Sequence, residues 1–248
     1  MSKILLSARN ITRRFGGLTA IDNVSINLAK GAVHAVIGTN GAGKSTLISI
    51  LSGELPPNEG TILMNDANIT DWSQPRRARA GLGRSYQRTT IFPSLTVHEN
   101  CRLAAQANHQ KFWSLSASRH CAFSNKAAAE ALDLAGLAAE STRVAGLLSH
   151  GGKRQLEIAM GLATHPKVLL LDEPLAGMGP EETDRMLGLL GSLKSDLAIL
   201  LVEHDMDAVF RISDSITVMV NGGVIAQGNP DTIRNDPQVQ IAYLGEEE

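Results

Sequence analysis

The octet GTNGAGKS (38–45) has the spacing G-x-x-x-x-G-K-[ST] and lies between an apolar run and a helix-forming run. Its glycines let backbone N–H groups surround phosphate oxygens, and the helix N-terminus that follows favours negative charge. Lys44 reaches β- and γ-phosphates as a point charge, Ser45 offers a hydroxyl to Mg²⁺, and Thr46 reaches an α-phosphate. Such a loop binds a nucleoside triphosphate, with Gly38, Thr39, Asn40, Gly41, Ala42 and Gly43 as its backbone. The stretch VLLLDEP (168–174) supplies a complement. Four apolar residues bury a strand and deliver Asp172 and Glu173 to its C-terminal end, the ligand edge of an open α/β sheet. Asp172 is placed to hold Mg²⁺ through water, and Glu173 to orient and deprotonate an attacking water. His204, in LLVEHD, ends another apolar strand on that edge, within reach of a γ-phosphate oxygen.

A second stretch, LSHGGKRQLEIA (148–159), reads as another anion-binding helix start. Ser149 suits an N-cap, and Gly151 and Gly152 expose their N–H groups ahead of a helical run. One nucleotide site does not need two such starts.

The elements that must position these groups follow from the apolar pattern. ILLSARNITRRF (4–15) and VSINLA (24–29) read as strands, VHAVIG (33–38) as a core strand, and KSTLISILSG (44–53) as a helix closed by Gly53. TILMN (61–65) is a further strand. From Val97 to Met160 alanine-rich runs predict a mostly helical region, interrupted by an irregular stretch at 108–123. Strands follow at 168–172, 198–203 and 216–220, with a crossover helix over 181–195 between the first two. Asn221-Gly222-Gly223 predicts a hairpin into VIAQG. The expectation is an α/β fold: a nucleotide-binding core, an N-terminal antiparallel β layer and an inserted α-helical subdomain. No internal repeat interrupts this order.

With 248 residues, 43% hydrophobic and a net charge of −2, the chain has no general attraction to nucleic acid or anionic lipid. Two cysteines, Cys101 and Cys121, make no disulfide framework and suit a reducing compartment. The N-terminus shows no signal-peptide pattern. No apolar run approaches the roughly 20 residues of a membrane helix. The acidic end, Glu246 to Glu248, reads as a solvated tail.

In order and spacing, GTNGAGKST, SYQRTTIFPSLTVHEN, LSHGGKRQLEIA, VLLLDEP and VEHD resemble the ATP-binding-cassette (ABC) ATPases over essentially the whole chain. The resemblance implies a P-loop NTPase core in one ABC ATPase domain, residues 1–248. Its parts are a β layer with P-loop core (1–93), a helical subdomain (94–160) and the rest of the core with a tail (161–248). It implies ATP and Mg²⁺ as ligands, and a head-to-tail pair of cassettes, identical or homologous. In such a pair Ser149, His150, Gly151 and Gly152 close on the partner's ATP. It further implies Phe15 as the aromatic on adenine. Gln87 would be the glutamine that touches Mg²⁺ and the attacking water. Three positions depart from the common pattern. Thr39 stands for a proline, the signature is LSHGG in place of LSGGQ, and Gly179 replaces an aspartate that helps join the sites.

DEPLAGMGPEE, FGGLTAIDNVS, the terminal YLGEEE and the insertion at 105–125 resemble the ATPases of branched-chain amino acid type importers, a branch that also serves urea and amides. Expected partners are two membrane permease subunits, a second cassette and, indirectly, a solute-binding protein, without nucleic acid. The expected location is cytoplasmic, peripheral on the inner face of the membrane. The alternatives are the ATPase of a lipopolysaccharide-export system, a non-transport nucleotide switch and a plain P-loop kinase. The kinase would need neither LSHGGKRQLEIA nor His204. In and just before the insertion, Cys101, His109, His120 and Cys121 fit no usual metal spacing. Phe112, Trp113 and Phe123 are expected to pack locally.

Overall fold

The computed structural model describes residues 3–87, 90–109 and 121–244. Strands β1 (Ile4–Phe15) and β2 (Leu18–Ala29) form a long hairpin. It turns at Gly16-Gly17, where Gly16 takes a φ of 58°. The strand expected from Val24 thus begins at Leu18, because Phe15 pairs directly with Leu18 across the turn. Strand β3 (Ala32–Gly38) leads into α1 (Lys44–Ser52), which Gly53 ends in the left-handed region. Next come β4 (Glu59–Met64), β5 (Ala67–Asn68), α2 (Gln74–Arg79) and β6 (Leu82–Arg84). The helical stretch comprises α3 (Val97–His109), α4 (Ala122–Leu134) and α5 (His150–Leu162). The remainder is β7 (Val168–Asp172), α6 (Pro180–Leu193), β8 (Ala198–Val202), α7 (Met206–Ile212), β9 (Ser215–Val220), β10 (Gly223–Gly228), α8 (Pro230–Arg234) and α9 (Pro237–Leu244).

Two sheets result. One is antiparallel, ordered β2-β1-β4-β5; the other is ordered β10-β9-β3-β8-β7-β6, parallel except for the β9–β10 hairpin. This is the expected α/β architecture. The central strands are apolar throughout because both faces are covered. In β7, Val168 and Leu170 face the core shared with α1 and the antiparallel sheet, where Leu6, Ile26, Leu47 and Ile62 pack. Leu169 and Leu171 face the opposite core, with Leu156 of α5 and Leu190 of α6.

The parallel register lines up Val36, Val202 and Asp172 across β3, β8 and β7. The residues following these positions therefore emerge on one edge. Helix α1 is held by Arg77, which is 1% exposed. Its guanidinium donates to the last-turn carbonyl oxygens of Ile50, which also accepts from Gly53 N–H, and Leu51, at 2.8 Å each. Elements α2, β6, α7 and α8 were not expected from the sequence, being too short to show periodicity.

Candidate nucleotide site

The loop between β3 and α1 is shaped by three left-handed glycines: Gly38, Gly41 and Gly43, with φ of 157°, 80° and 97°. Two of them are also close-approach points. A Cβ at Gly38 would lie 2.1 Å from the Met219 carbonyl oxygen, and one at Gly43 2.4 Å from that of Ala20. The β9–β10 turn buttresses the loop, with Gly222 N–H donating to the Ala42 carbonyl at 3.2 Å. Lys44 is 7% exposed and folds over the loop, its Nζ donating to the carbonyls of Gly38 at 2.6 Å and Thr39 at 3.0 Å. Burial lowers its pKa, while Glu173 and Asp172 act to raise it.

An open cleft of about 670 Å³ gathers Phe15, residues 40 to 46, Gln87 and Glu173. Phe15 is 42% exposed and so is no core phenylalanine. The Arg13 guanidinium lies 4.6 Å from its ring centroid, a cation–π contact that braces the ring. Gln87 Nε2 donates to Glu173 Oε2 at 3.3 Å. Glu173 has a φ of 49°, a left-handed conformation costing a non-glycine residue about 1 kcal/mol. Its N–H bond to the Val202 carbonyl at 2.9 Å holds it there.

Asp172, 3% exposed, lies beneath. Its N–H donates to Ser85 Oγ at 3.2 Å, while Oδ1 is buried with no hydrogen-bond partner among the described residues. Burial raises its pKa, with Arg84 the chief opposing charge. A buried carboxylate oxygen without a donor among the described residues, with the exposed Ser45 at the start of α1 lining the cleft, fits a hydrated divalent cation. His204 stands just past β8 with a side chain 64% exposed; it is not part of the cleft wall.

The second helix start lies in a different cleft, of about 330 Å³, lined by Ser149, Gly151, Gly152 and Glu182. Ser149 caps α5: its Oγ accepts from Gly152 N–H at 3.1 Å and donates to Glu182 Oε1 at 3.2 Å. The His150 ring rests on Gly177, where a Cβ would come within 3.3 Å of its Cε1.

Residue-type reasoning missed four groups that tie these sites together. Arg154 of α5, 4% exposed, donates to the carbonyls of Tyr86, at 2.6 Å, and Gln87. Glu157 accepts from Arg154 at 2.9 Å and from Thr90 N–H at 2.6 Å. Glu203 is fully buried beside His204, and Glu182 touches Ser149. The signal for Arg154 and Glu157 was an i, i+3 charge pair on a helix otherwise facing a core. For Glu203 it was an acid closing an apolar strand. Cys101 is buried, and Cys121 precedes α4. The expectations for Phe112, Trp113, His120 and the terminal acids lie outside the described residues, as does the His109 side chain. Phe123 is 43% exposed, with its ring edge-on to His165 at 6.0 Å.

Residues 21–176 match the family model described as "ABC transporter". Residues 224–248 match "Branched-chain amino acid ATP-binding cassette transporter". The high-affinity branched-chain amino acid transport ATP-binding protein LivG of Escherichia coli is 40% identical, the match covering 99% of this chain and all of that protein. A nucleotide-free ATP-binding cassette from an ABC transporter superposes with a TM-score of 0.87 at 31% identity, covering 97% of this chain and 99% of the other. The ADP conformation of an ATP-binding cassette of an ABC transporter gives 0.85 at 30%, covering 98% and 100%.

Proposed function

From the premise that the chain belongs to the ABC transporter family of ATP-binding cassettes, we propose how its own residues bind and hydrolyse ATP for an importer. The cleft that brings Phe15, the glycine loop, Gln87 and Glu173 together, with the buried Asp172 oxygen that meets no donor among the described residues, carries the reading. Phe15 stacks on adenine through the face that Arg13 leaves open. The N–H groups of residues 40 to 46 and the Lys44 ammonium hold the phosphates, which detach Lys44 from the Gly38 and Thr39 carbonyls. Ser45, Gln87 and, through water, Asp172 hold Mg²⁺, which when bound neutralises phosphate charge. Glu173 takes a proton from the attacking water, and Gln87, already in contact with it, orients that water. His204 donates a hydrogen bond to the γ-phosphate. The helix start at Ser149, His150, Gly151 and Gly152 acts on the ATP of a second cassette, identical or homologous, in a head-to-tail pair. The separation of the two clefts within one chain supports that division.

The importer moves branched-chain amino acids or related small polar solutes such as urea and amides, a reading supported by the similarity to LivG and the match at 224–248. No helix among the described residues is long and apolar enough to cross a membrane. The cassette docks on the cytoplasmic side of two permease subunits, and a separate binding protein selects the solute. The test is affinity purification of the tagged full chain from gently solubilised membranes, with partners identified by mass spectrometry. Two multi-span permease subunits and a second cassette are expected, with a solute-binding protein that takes a branched-chain amino acid or amide in calorimetry. Recovery with lipid-export membrane proteins, or with ribosomes and no membrane protein, overturns the importer reading.

A further inference from the structure

Glu203 directly follows β8 and is 0% exposed, whereas the side chain of its neighbour His204 is 64% exposed. Its Oε1 accepts from Leu175 N–H at 2.8 Å, and its Oε2 from His204 N–H at 3.2 Å. Leu175 is two residues beyond Glu173, on the loop between β7 and α6. The end of β8 therefore grips that loop twice. The Val202 carbonyl holds Glu173 at 2.9 Å, and the Glu203 carboxylate holds Leu175. From Leu175 the loop closes on itself, Met178 N–H donating to the Leu175 carbonyl at 3.1 Å. Gly177 then receives the His150 ring. An unbroken path of contacts joins His204 to the start of α5. It uses no side chain at Gly179, the position where the common pattern has an aspartate.

A carboxylate is a poor way to fill a buried space. Desolvation raises its pKa, Glu173 adds to that, and the N–H groups of Leu175 and His204 oppose it. No lysine or arginine lies within ion-pair range among the described residues; the nearest basic group is the His204 imidazole, whose Nδ1 is 3.8 Å away. An apolar residue of similar size would avoid this desolvation but leave both N–H groups without their acceptor. Its two oxygens, each taken by a different segment, are what the position uses.

We propose that Glu203 is a positioning residue for hydrolysis. Its carboxylate bolts the 173–178 loop to the end of β8, so that Glu173, His204 and the His150 helix start keep one mutual geometry. The inference rests on Glu173 as the base and His204 as the γ-phosphate contact. It adds the group that fixes their relation.

Glu203→Gln keeps the size but accepts only one N–H, turning its amide donor on the other. Turnover in the full chain should fall by roughly 10- to 100-fold, the effect of a small misplacement of reacting groups. ATP affinity by calorimetry should stay within about twofold, because the phosphate loop is untouched. Wild-type turnover overturns the proposal. So does ATP affinity falling in step with turnover, which would make Glu203 a residue of the fold alone. Hydrogen exchange on the unmutated chain gives a second test without any variant. The Leu175 amide should exchange as slowly as that of Leu171 in β7; exchange as fast as an exposed loop amide refutes the bond to Glu203. Glu173→Gln separates the two levels of the argument. If it retains turnover, the underlying base assignment fails and the proposal with it. If it is inactive while Glu203→Gln is fully active, only the positioning role fails.

Discussion

Asp172 and Glu173 are adjacent carboxylates whose surroundings give them different work. Asp172 ends a strand, is almost fully enclosed, and has one oxygen that meets no donor among the described residues. Glu173 is swung out of the strand by its left-handed backbone and faces the open cleft, where Gln87 meets it. On the proposed assignment, Glu173→Gln should lower turnover by about 10²–10⁴-fold, the usual worth of a general base, while ATP stays bound. Steady-state hydrolysis together with retention of radiolabelled ATP checks this. A glutamine variant that turns over at the wild-type rate removes Glu173 from the role.

At the scale of elements, the placement of β3 decides where the phosphate loop starts, and a buried histidine helps to fix that placement. His34 on β3 is 4% exposed and sits between two β9 hydroxyls, Thr217 Oγ1 and Ser215 Oγ, each 2.8 Å from a ring nitrogen. Burial lowers its pKa from 6.5 to about 4. The sign follows directly. Between those values the unfolded chain binds a proton that the folded chain refuses, so acid favours unfolding. The stability contributed by neutral His34 is complete above about pH 6.5 and falls by about 3 kcal/mol as pH drops to 4. Denaturant melts of the wild type and His34→Gln at a series of pH values should diverge in slope over that window. Parallel curves would show that His34 does not titrate in this way. A comparable element-level link is Arg154, which fastens the backbone of Tyr86 and Gln87 to α5. Any shift of α5 relative to the sheet is thereby passed to the glutamine in the cleft.

At the scale of the whole molecule, one chain carries two anion-binding helix starts in separate clefts. On the proposed head-to-tail reading, LSHGGKRQLEIA stands beside a complete phosphate loop because each start completes a site in a neighbouring cassette. Mixing Ser149→Arg chains with Lys44→Ala chains should then restore hydrolysis where either alone is inactive. In a mixed pair one composite site has both its loop and its signature intact. The readout is ATPase activity against mixing ratio, with a maximum near equal amounts. A mixture as inactive as its parents counts against sharing between identical chains and directs attention to a different cassette as partner. On that reading, the His204–Glu203–Leu175–His150 path physically links the site a chain owns to the one it completes.

Much of this molecule was legible without coordinates. The glycines at 38, 41 and 43, the apolar run ending in Asp172-Glu173 and the long strands announced themselves. Glycine conformations, phosphate chemistry and strand burial leave a local mark on residue type. Gly53 as a helix stop and the 221–223 turn were local in the same sense. Tertiary structure alone decided what depends on partners distant along the chain. Phe15 is exposed because β1 pairs across a two-residue turn and Arg13 braces its ring, neither of which the residue type alone reveals. Short elements such as β6 exist because a neighbouring strand hydrogen-bonds them, not because three residues carry a pattern. Charges were the least legible. Arg77, Arg154 and Glu203 look like surface residues by type, yet each is buried, because the carbonyls and N–H groups they satisfy lie on segments that only the fold brings beside them.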